Sequence, residues 1–312
     1  MSPNKKNLIH LTLAIIIFSM IGPLVKLIHL SPLVIVFGRA LFAATFLLIV
    51  HIIEKKSLRL LTRDYASMSI LSLLVAFDWF ASFQSLKLSS VAITYITFSV
   101  FPVIVALLEP FLLHEKFSLK NIILAFITCF GVLVMIPKFD LGNNVTQGAL
   151  WGIASGLIFA FIAIWDRKYV KKYSNTTIVF YQNFGVSLIL APLILAQKTI
   201  SFEWRDILLL SLLGVICTAI GHSLYVKSLT TIKVQTASIF QNSEDIIGIG
   251  LAMVLLGEIP NARILIGGSI ILCMVIYVSI QAGKKTQTLV LEKAQTEDNE
   301  VEILSTRVMK NI

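Results

Sequence analysis

The chain has 312 residues and a formal net charge of +9 at pH 7, yet 57% of it is hydrophobic and only 14% charged. Soluble domains average about 45–50% apolar and about 25% charged residues, so this composition excludes an ordinary water-soluble fold. The basic residues lie between apolar runs rather than along one polar face, which removes nucleic acid as a partner.

A bilayer core about 30 Å thick needs about 20 apolar residues of helix. Runs of that kind predict helices over 8–28, 31–53, 65–86, 91–112, 119–136, 147–169, 175–197, 205–229, 234–256 and 262–281. The fold class expected is therefore all-α and integral to the membrane, with ten transmembrane helices joined by short connections. Residues 283–312 are polar and charged and read as a tail with little fixed structure. The first apolar run has no small-residue cleavage site, so no signal peptide is expected. Cys129, Cys217 and Cys273 all fall inside apolar runs and read as small core hydrophobes, without metal or disulfide spacing.

Basic residues crowd one set of loops: Lys5 and Lys6, Lys55 to Arg63, Arg167 to Lys172, Lys284 and Lys285. The opposite loops carry single ones, such as Lys26, Lys87 and Arg263. The positive-inside rule places both termini in the cytoplasm and requires an even number of spans.

The chain also aligns with itself at a constant offset of 143 residues: Ser31 with Ser174, Phe37 with Phe180, Ser85 with Ser228, Leu86 with Leu229, and Glu115 with Glu258. The expected units are 1–140 and 147–282, each of five helices, followed by the tail. An odd number of helices inverts the second unit relative to the first. Inverted repeats of this kind are common in secondary transporters, with the solute site near the midplane where the repeats meet.

These residues resemble a known family. Ser31-Pro32, Phe37-Gly38-Arg39, Gln84-Ser85-Leu86, Val91-Ala92, Phe101-Pro102 and Glu115-Lys116-Phe117-Ser118 in the first half are similar to the drug/metabolite transporter (DMT) superfamily, EamA type. Ser228-Leu229, Ala237-Ser238, Leu256-Gly257-Glu258 and Gly267-Gly268 fit the same frame in the second half. One position departs from the symmetry: Asp245 stands where the offset places the mate of Pro102, so a kink in helix four lacks its mirror in helix nine. The resemblance implies a carrier of the bacterial inner membrane, often an exporter of amino acids or related metabolites.

Charges at the bilayer centre cost about 2.5–3.5 kcal/mol on insertion scales and mark functional candidates. Here they are Arg39, Asp78, His222, Glu244 and Asp245, while Glu109 and Asp166 lie near helix ends and are expected to reach the interface. Arg39 and Asp78 each fall about 12 Å below the outer ends of helices two and three, and a structural charge pair between them is expected. Substrate contact is the competing role. Glu244 and Asp245 are the proton-coupling candidates, and Ala237, Gln241, Glu244 and Gly248 share one helical face suited to a cavity.

The substrate-binding candidates are Asp78, Trp79, Tyr95, Trp165, Gln182, Asn183, His222, Tyr225, Gln241 and Glu244, a mixed aromatic and polar set suited to an amphipathic metabolite. The offset pairs Trp79 with His222 and Arg39 with Gln182. Two bland readings compete: His222 as a packing histidine and Trp165 as an interface anchor. Gly148, Gly152, Gly156 and Ala160 recur every four residues, which suits close helix packing.

HExxH, GxSxG, P-loop and Cys–His metal patterns are missing from the sequence, so no enzyme, cofactor or metal is expected. The expected function is secondary transport of a small metabolite, an amino acid or related amphipathic solute, with export as the expected direction and alternating access between the repeats as mechanism. Import or exchange, lipid-linked flipping and a non-transporting scaffold are the alternatives. The expected partners are the solute and the lipid bilayer, with the chain as monomer or homodimer.

Overall fold

A computed structural model describes residues 3–101, 103–104, 107–108, 123, 127, 130–134, 140–197, 200–273 and 276–277. The polar tail, Glu109, Glu115 to Ser118, Cys129 and most of the expected fifth helix lie outside the described residues.

The helices are α1 (Pro3–Phe18), α2 (Ile21–Leu27), α3 (Pro32–Ile53), α4 (Thr62–Leu88), α5 (Val91–Phe98), α6 (Asn144–Tyr169), α7 (Asn175–Leu195), α8 (Trp204–Leu212), α9 (Ser223–Ser228), α10 (Val234–Leu256) and α11 (Ala262–Cys273). A π-helical stretch, Leu213–His222, joins α8 to α9. Among the described residues seven helical segments are long and apolar enough to cross a membrane: Lys6–Leu27, Pro32–Ile53, Thr62–Leu88, Asn144–Tyr169, Asn175–Leu195, Trp204–Ser228 and Thr236–Leu256. Their outward faces carry large apolar side chains such as Ile53, Leu195 and Val254, as lipid contact requires.

Local chemistry sets the helix starts. Ser90, Asn143 and Ser174 cap α5, α6 and α7, each side chain accepting a backbone N–H of the first turn (Ile93, Val145 and Thr177). Gly257 ends α10 at φ 68°, a left-handed conformation that glycine takes without penalty.

Prolines set the breaks. Pro23 has no N–H for the Ser19 carbonyl and its ring crowds that oxygen, so the first span parts at Ser19–Met20 into α1 and α2. Likewise Pro102 offers no N–H to the Phe98 carbonyl, and α5 stops at Phe98. The expected fourth helix, 91–112, is thus interrupted near its middle. α10, with Asp245 in place of that proline, runs unbroken.

The small-residue stripe of α6 packs against α4 and α5. A Cβ at Gly148 would stand 2.5 Å from the Ser89 Cβ, and one at Gly156 2.8 Å from the freed Phe98 carbonyl. Helix α4 lies between α6 and α7, and α3 lies against α7 and the π-helical stretch.

Candidate functional site

A cavity of about 80 Å3 sits between the helices, its walls drawn from α1, α2, α3, α4, α5, α6, α10 and the π-helical stretch. Phe18, Trp79, Phe83, Tyr95, Phe98 and Phe159 form the aromatic wall. Arg39, Asp78, Ser155, His222, Gln241 and Glu244 supply the polar groups. All of these charges are at least nine-tenths buried.

Arg39 comes from the first third of α3. Its Nε donates to Thr218 Oγ1 at 2.5 Å, and Thr218 in turn donates to the Leu213 carbonyl five residues back. The guanidinium carbon lies 3.9 Å from the centre of the Trp79 ring and 5.4 Å from that of Phe83. Stacking on two aromatic faces compensates a buried cation, and the terminal amino edge is left without a hydrogen bond to any described residue.

The expected Arg39–Asp78 ion pair is not made among the described residues. Asp78 faces α6 instead, where its Oδ1 accepts the Ser155 hydroxyl at 2.6 Å. One residue along α4 turns the side chain by about 100°, and that turn presents Trp79, not Asp78, to Arg39.

Tyr95 fills the break that Pro23 leaves. Its hydroxyl accepts Gly22 N–H at 2.9 Å and lies within 3.5 Å of the Phe18 and Ser19 carbonyls. The side chain therefore repairs an interrupted backbone ladder while its ring lines the cavity.

Glu244 and Gln241 reach the cavity from α10, and Glu244 Oε2 and Gln241 Oε1 have no hydrogen-bond partner among the described residues. Asp245 points away from the cavity. Its Oδ2 accepts Ser99 Oγ at 2.5 Å, at the point where α5 ends. Only one of the two acids proposed for proton coupling thus faces the cavity.

Trp165, Gln182, Asn183 and Tyr225 do not line the cavity. Trp165 packs partly buried on the apolar core. Asn183 donates to the Val179 carbonyl of its own helix. Gln182 Nε2 donates to Asp166 Oδ1 at 2.6 Å, and Tyr225 lies beside His222 with ring centres 6.3 Å apart.

Asp166 overturns its expectation. Its nearness to a helix end predicts an interfacial side chain, but it has no exposed surface. His222 Nε2 stands 3.5 Å from its Oδ2, without the alignment of a hydrogen bond. The ring of His222 meets that of Trp79 edge-on at 6.4 Å, so two side chains that the 143-residue offset pairs touch each other.

Both ends of the helix group are tied. On the side of Leu27 and Leu88, Lys26 Nζ lies 3.1 Å from Glu258 Oε1, and Glu258 Oε2 accepts Val91 N–H at 2.8 Å. On the other side Asn7 donates to Thr230 and Thr231, and Asp64 accepts Lys172 and Tyr173. That carboxylate holds the Lys172 ammonium above the usual lysine range. Ser155, Phe18 and Phe159 also line the site, and the sequence does not single them out. Small hydroxyl and Phe residues in an apolar run carry no sequence signal of their own.

Among the described residues no cluster of His, Cys, Asp and Glu has the arrangement of a metal site. A family model, the EamA-like transporter family, matches the chain twice, over residues 6–136 and 146–280. Similar curated proteins include an uncharacterized transporter, YxxF, of Bacillus subtilis (strain 168), 25% identical over 81% of this chain and 83% of its own length. An uncharacterized transporter of Archaeoglobus fulgidus is 24% identical over 69% of this chain and 75% of its own. A solved crystal structure, 16% identical, superposes with a TM-score of 0.66 over 91% of this chain and 99% of the other, a likeness of fold alone. Two family matches that together span most of the chain, on a body of membrane-crossing helices, make this chain a member of the EamA-like transporter family and a multi-pass membrane transporter.

Proposed function

We propose that the chain carries a small zwitterionic metabolite, an amino acid or a related amphipathic solute, out of a bacterial cell across the inner membrane. The carrying observation is the cavity itself. Arg39, whose amino edge bonds no described residue, and Glu244, whose Oε2 has no partner among the described residues, reach one aromatic-walled space from different helices. A carboxylate matches the planar fork of Arg39, and an ammonium group matches Glu244 and Gln241. The aromatic faces take an apolar side chain. A cavity of about 80 Å3 is well below the ~300–1,000 Å3 of sites for drug-sized ligands, which fits a small cargo.

Alternating access moves the two inverted units, 1–140 and 147–282, about this cavity, with both termini in the cytoplasm. Glu244 binds either the solute's ammonium group or a proton, so that one leaves as the other arrives. The test is counterflow of a radiolabelled amino-acid mixture in vesicles reconstituted with the purified protein. Saturable exchange is expected. Arg39→Gln removes a charged hydrogen bond of about 1.5–3 kcal/mol and is expected to weaken apparent solute affinity about 10- to 100-fold. No exchange by the wild type refutes the proposed cargo, and a pH response that Glu244→Gln leaves unchanged refutes the exchange of proton for solute.

A further inference from the structure

Where α4 begins and α6 ends, Arg63, Asp64, Ser67, Lys168, Tyr169 and Lys172 line a separate cavity of about 510 Å3. None of these six lines the cavity that holds Arg39 and Glu244. The charge of Asp64 is spent within the wall, where its Oδ2 accepts Lys172 Nζ and the Tyr173 hydroxyl. Arg63 and Lys168 make no ion pair among the described residues, and both are exposed, so an anion reaches them. Three cations against one carboxylate leave the space a net charge of +2.

The positive-inside rule accounts for the sign of this end of the molecule, but not for the arrangement. Lys55, Lys56, Arg59 and Lys171 are equally basic and do not line this cavity. Nor does the repeat impose it. The 143-residue offset carries Arg63 to Asp206, Lys168 to Val25 and Lys172 to His29. In that corresponding corner, at the opposite end, Asp206 Oδ1 accepts His29 N–H, and neither Arg63 nor Lys168 has a basic mate.

Each of these two cations also heads an apolar stripe. Arg63 shares a face of α4 with Ile70, Leu73 and Phe77, all exposed, and Lys168 shares a face of α6 with Leu157 and Leu150, exposed as well. Phe77 and Phe80 meet Trp151 with ring centres 6.2 and 5.7 Å apart, so the two helices lie side by side along this lipid-facing surface. The ligand that fits is an amphiphile. A phosphate suits the fork of Arg63 and the ammonium of Lys168, while acyl chains follow the stripes. A free anion makes no use of the stripes, and a zwitterionic lipid leaves the +2 unmatched.

We propose that the start of α4 and the end of α6 hold the headgroup phosphate of an anionic phospholipid, with Arg63 and Lys168 as its ligands. Basic pockets between membrane helices on the cytoplasmic side suit such headgroups. The binding does not depend on the cargo proposed above. Its assignment to the inner leaflet rests on the cytoplasmic placement of both termini.

The test takes the whole chain in dodecyl maltoside and counts bound lipid by native mass spectrometry during titration with dioleoyl phosphatidylglycerol. One lipid is expected to bind about tenfold or more tighter than dioleoyl phosphatidylcholine. Each cation near the headgroup plane is worth about 1 kcal/mol, so Arg63→Gln with Lys168→Gln is expected to weaken the site about 30-fold. Arg59→Gln with Lys171→Gln removes the same charge from the same end, outside the cavity, and is expected to change binding by less than about threefold. Equal losses in the two doubles reduce the effect to general surface attraction and overturn the proposal. Equal binding of the two lipids overturns it too. Arg63→Lys with Lys168→Arg keeps the charge and is expected to keep the lipid within about threefold; a loss as large as that of the glutamine double is a packing effect and refutes the role of charge. Millimolar inorganic phosphate, added in competition, is expected to leave the lipid bound, and displacement of the lipid identifies a free-anion site and refutes a phospholipid as its occupant.

Discussion

Tyr95→Phe removes a single oxygen and keeps the ring that lines the cavity. In the wild type that oxygen takes the Gly22 N–H at 2.9 Å and serves the Phe18 and Ser19 carbonyls at 3.5 and 3.4 Å. Gly22 and Tyr95 are buried, so water does not replace the lost partner. One orphaned N–H costs about 1–3 kcal/mol, and the long carbonyl contacts add little. A destabilisation of about 2 kcal/mol follows. At roughly 2 °C per kcal/mol for a chain of this size, the apparent melting temperature falls by about 4 °C. The assay is size-exclusion recovery of the detergent-solubilised protein after a temperature series. Tyr181→Phe is the control: its hydroxyl donates to the Leu58 carbonyl at 2.7 Å at a partly exposed site, where water can substitute. A fall for Tyr95→Phe no larger than that for Tyr181→Phe refutes the idea that Tyr95 mends the Pro23 break.

The same assay reads three further substitutions. Gly152→Ala places a Cβ 2.0 Å from Thr97 Oγ1 and is expected to cost about 1–3 kcal/mol; Thr97→Ala in the same chain is expected to recover most of it, and no recovery argues against that contact. Ser99→Ala and Asp245→Asn are expected to couple by about 1.5–3 kcal/mol in a double-mutant cycle, whereas strict additivity places Asp245 elsewhere than on Ser99. Lys26→Gln breaks the ion pair with Glu258, whose side chains are 20% and 25% exposed. It is expected to cost no more than about 1 kcal/mol and to matter less at high salt; a larger, salt-insensitive loss contradicts a surface tie.

Much of the architecture is legible in the residues because each span must satisfy its own backbone in lipid, and hydropathy reports that need directly. The cost of placing charge at depth points to Arg39, Asp78, His222 and Glu244, the repeat points to Trp79 and the face of α10 to Gln241, and all six line the cavity. The failures have a common origin. Depth along a helix is readable, but azimuth is not fully so: Asp78 and Trp79 are neighbours in sequence, yet α4 turns one toward Ser155 and the other toward Arg39. Nearness to a helix end does not mean access to water: Asp166 has no exposed surface, with Gln182 donating to Oδ1 and His222 3.5 Å from Oδ2. A signal for it did exist, in its alignment with Pro23. The break at Phe98 was foreshadowed by Pro102, whereas nothing in residues 213–222 announces a π-helical stretch.

That stretch carries Thr218, which holds Arg39, and ends at His222, which touches Trp79. Its ladder runs to the fifth residue rather than the fourth, so it accommodates more chain per turn than the α-helices on either side. A slip of one residue at its lower edge would turn everything beyond it by about 100° and advance it by about 1.5 Å. Thr218 and His222 sit inside the segment that would slip, while Ser223–Ser228 would turn as a short rigid cylinder. Neither bending nor unwinding is needed for such a screw motion, and the flanking α-helices need not break. One span can therefore trade the grip on Arg39 against the contact with Trp79 by changing gear within itself.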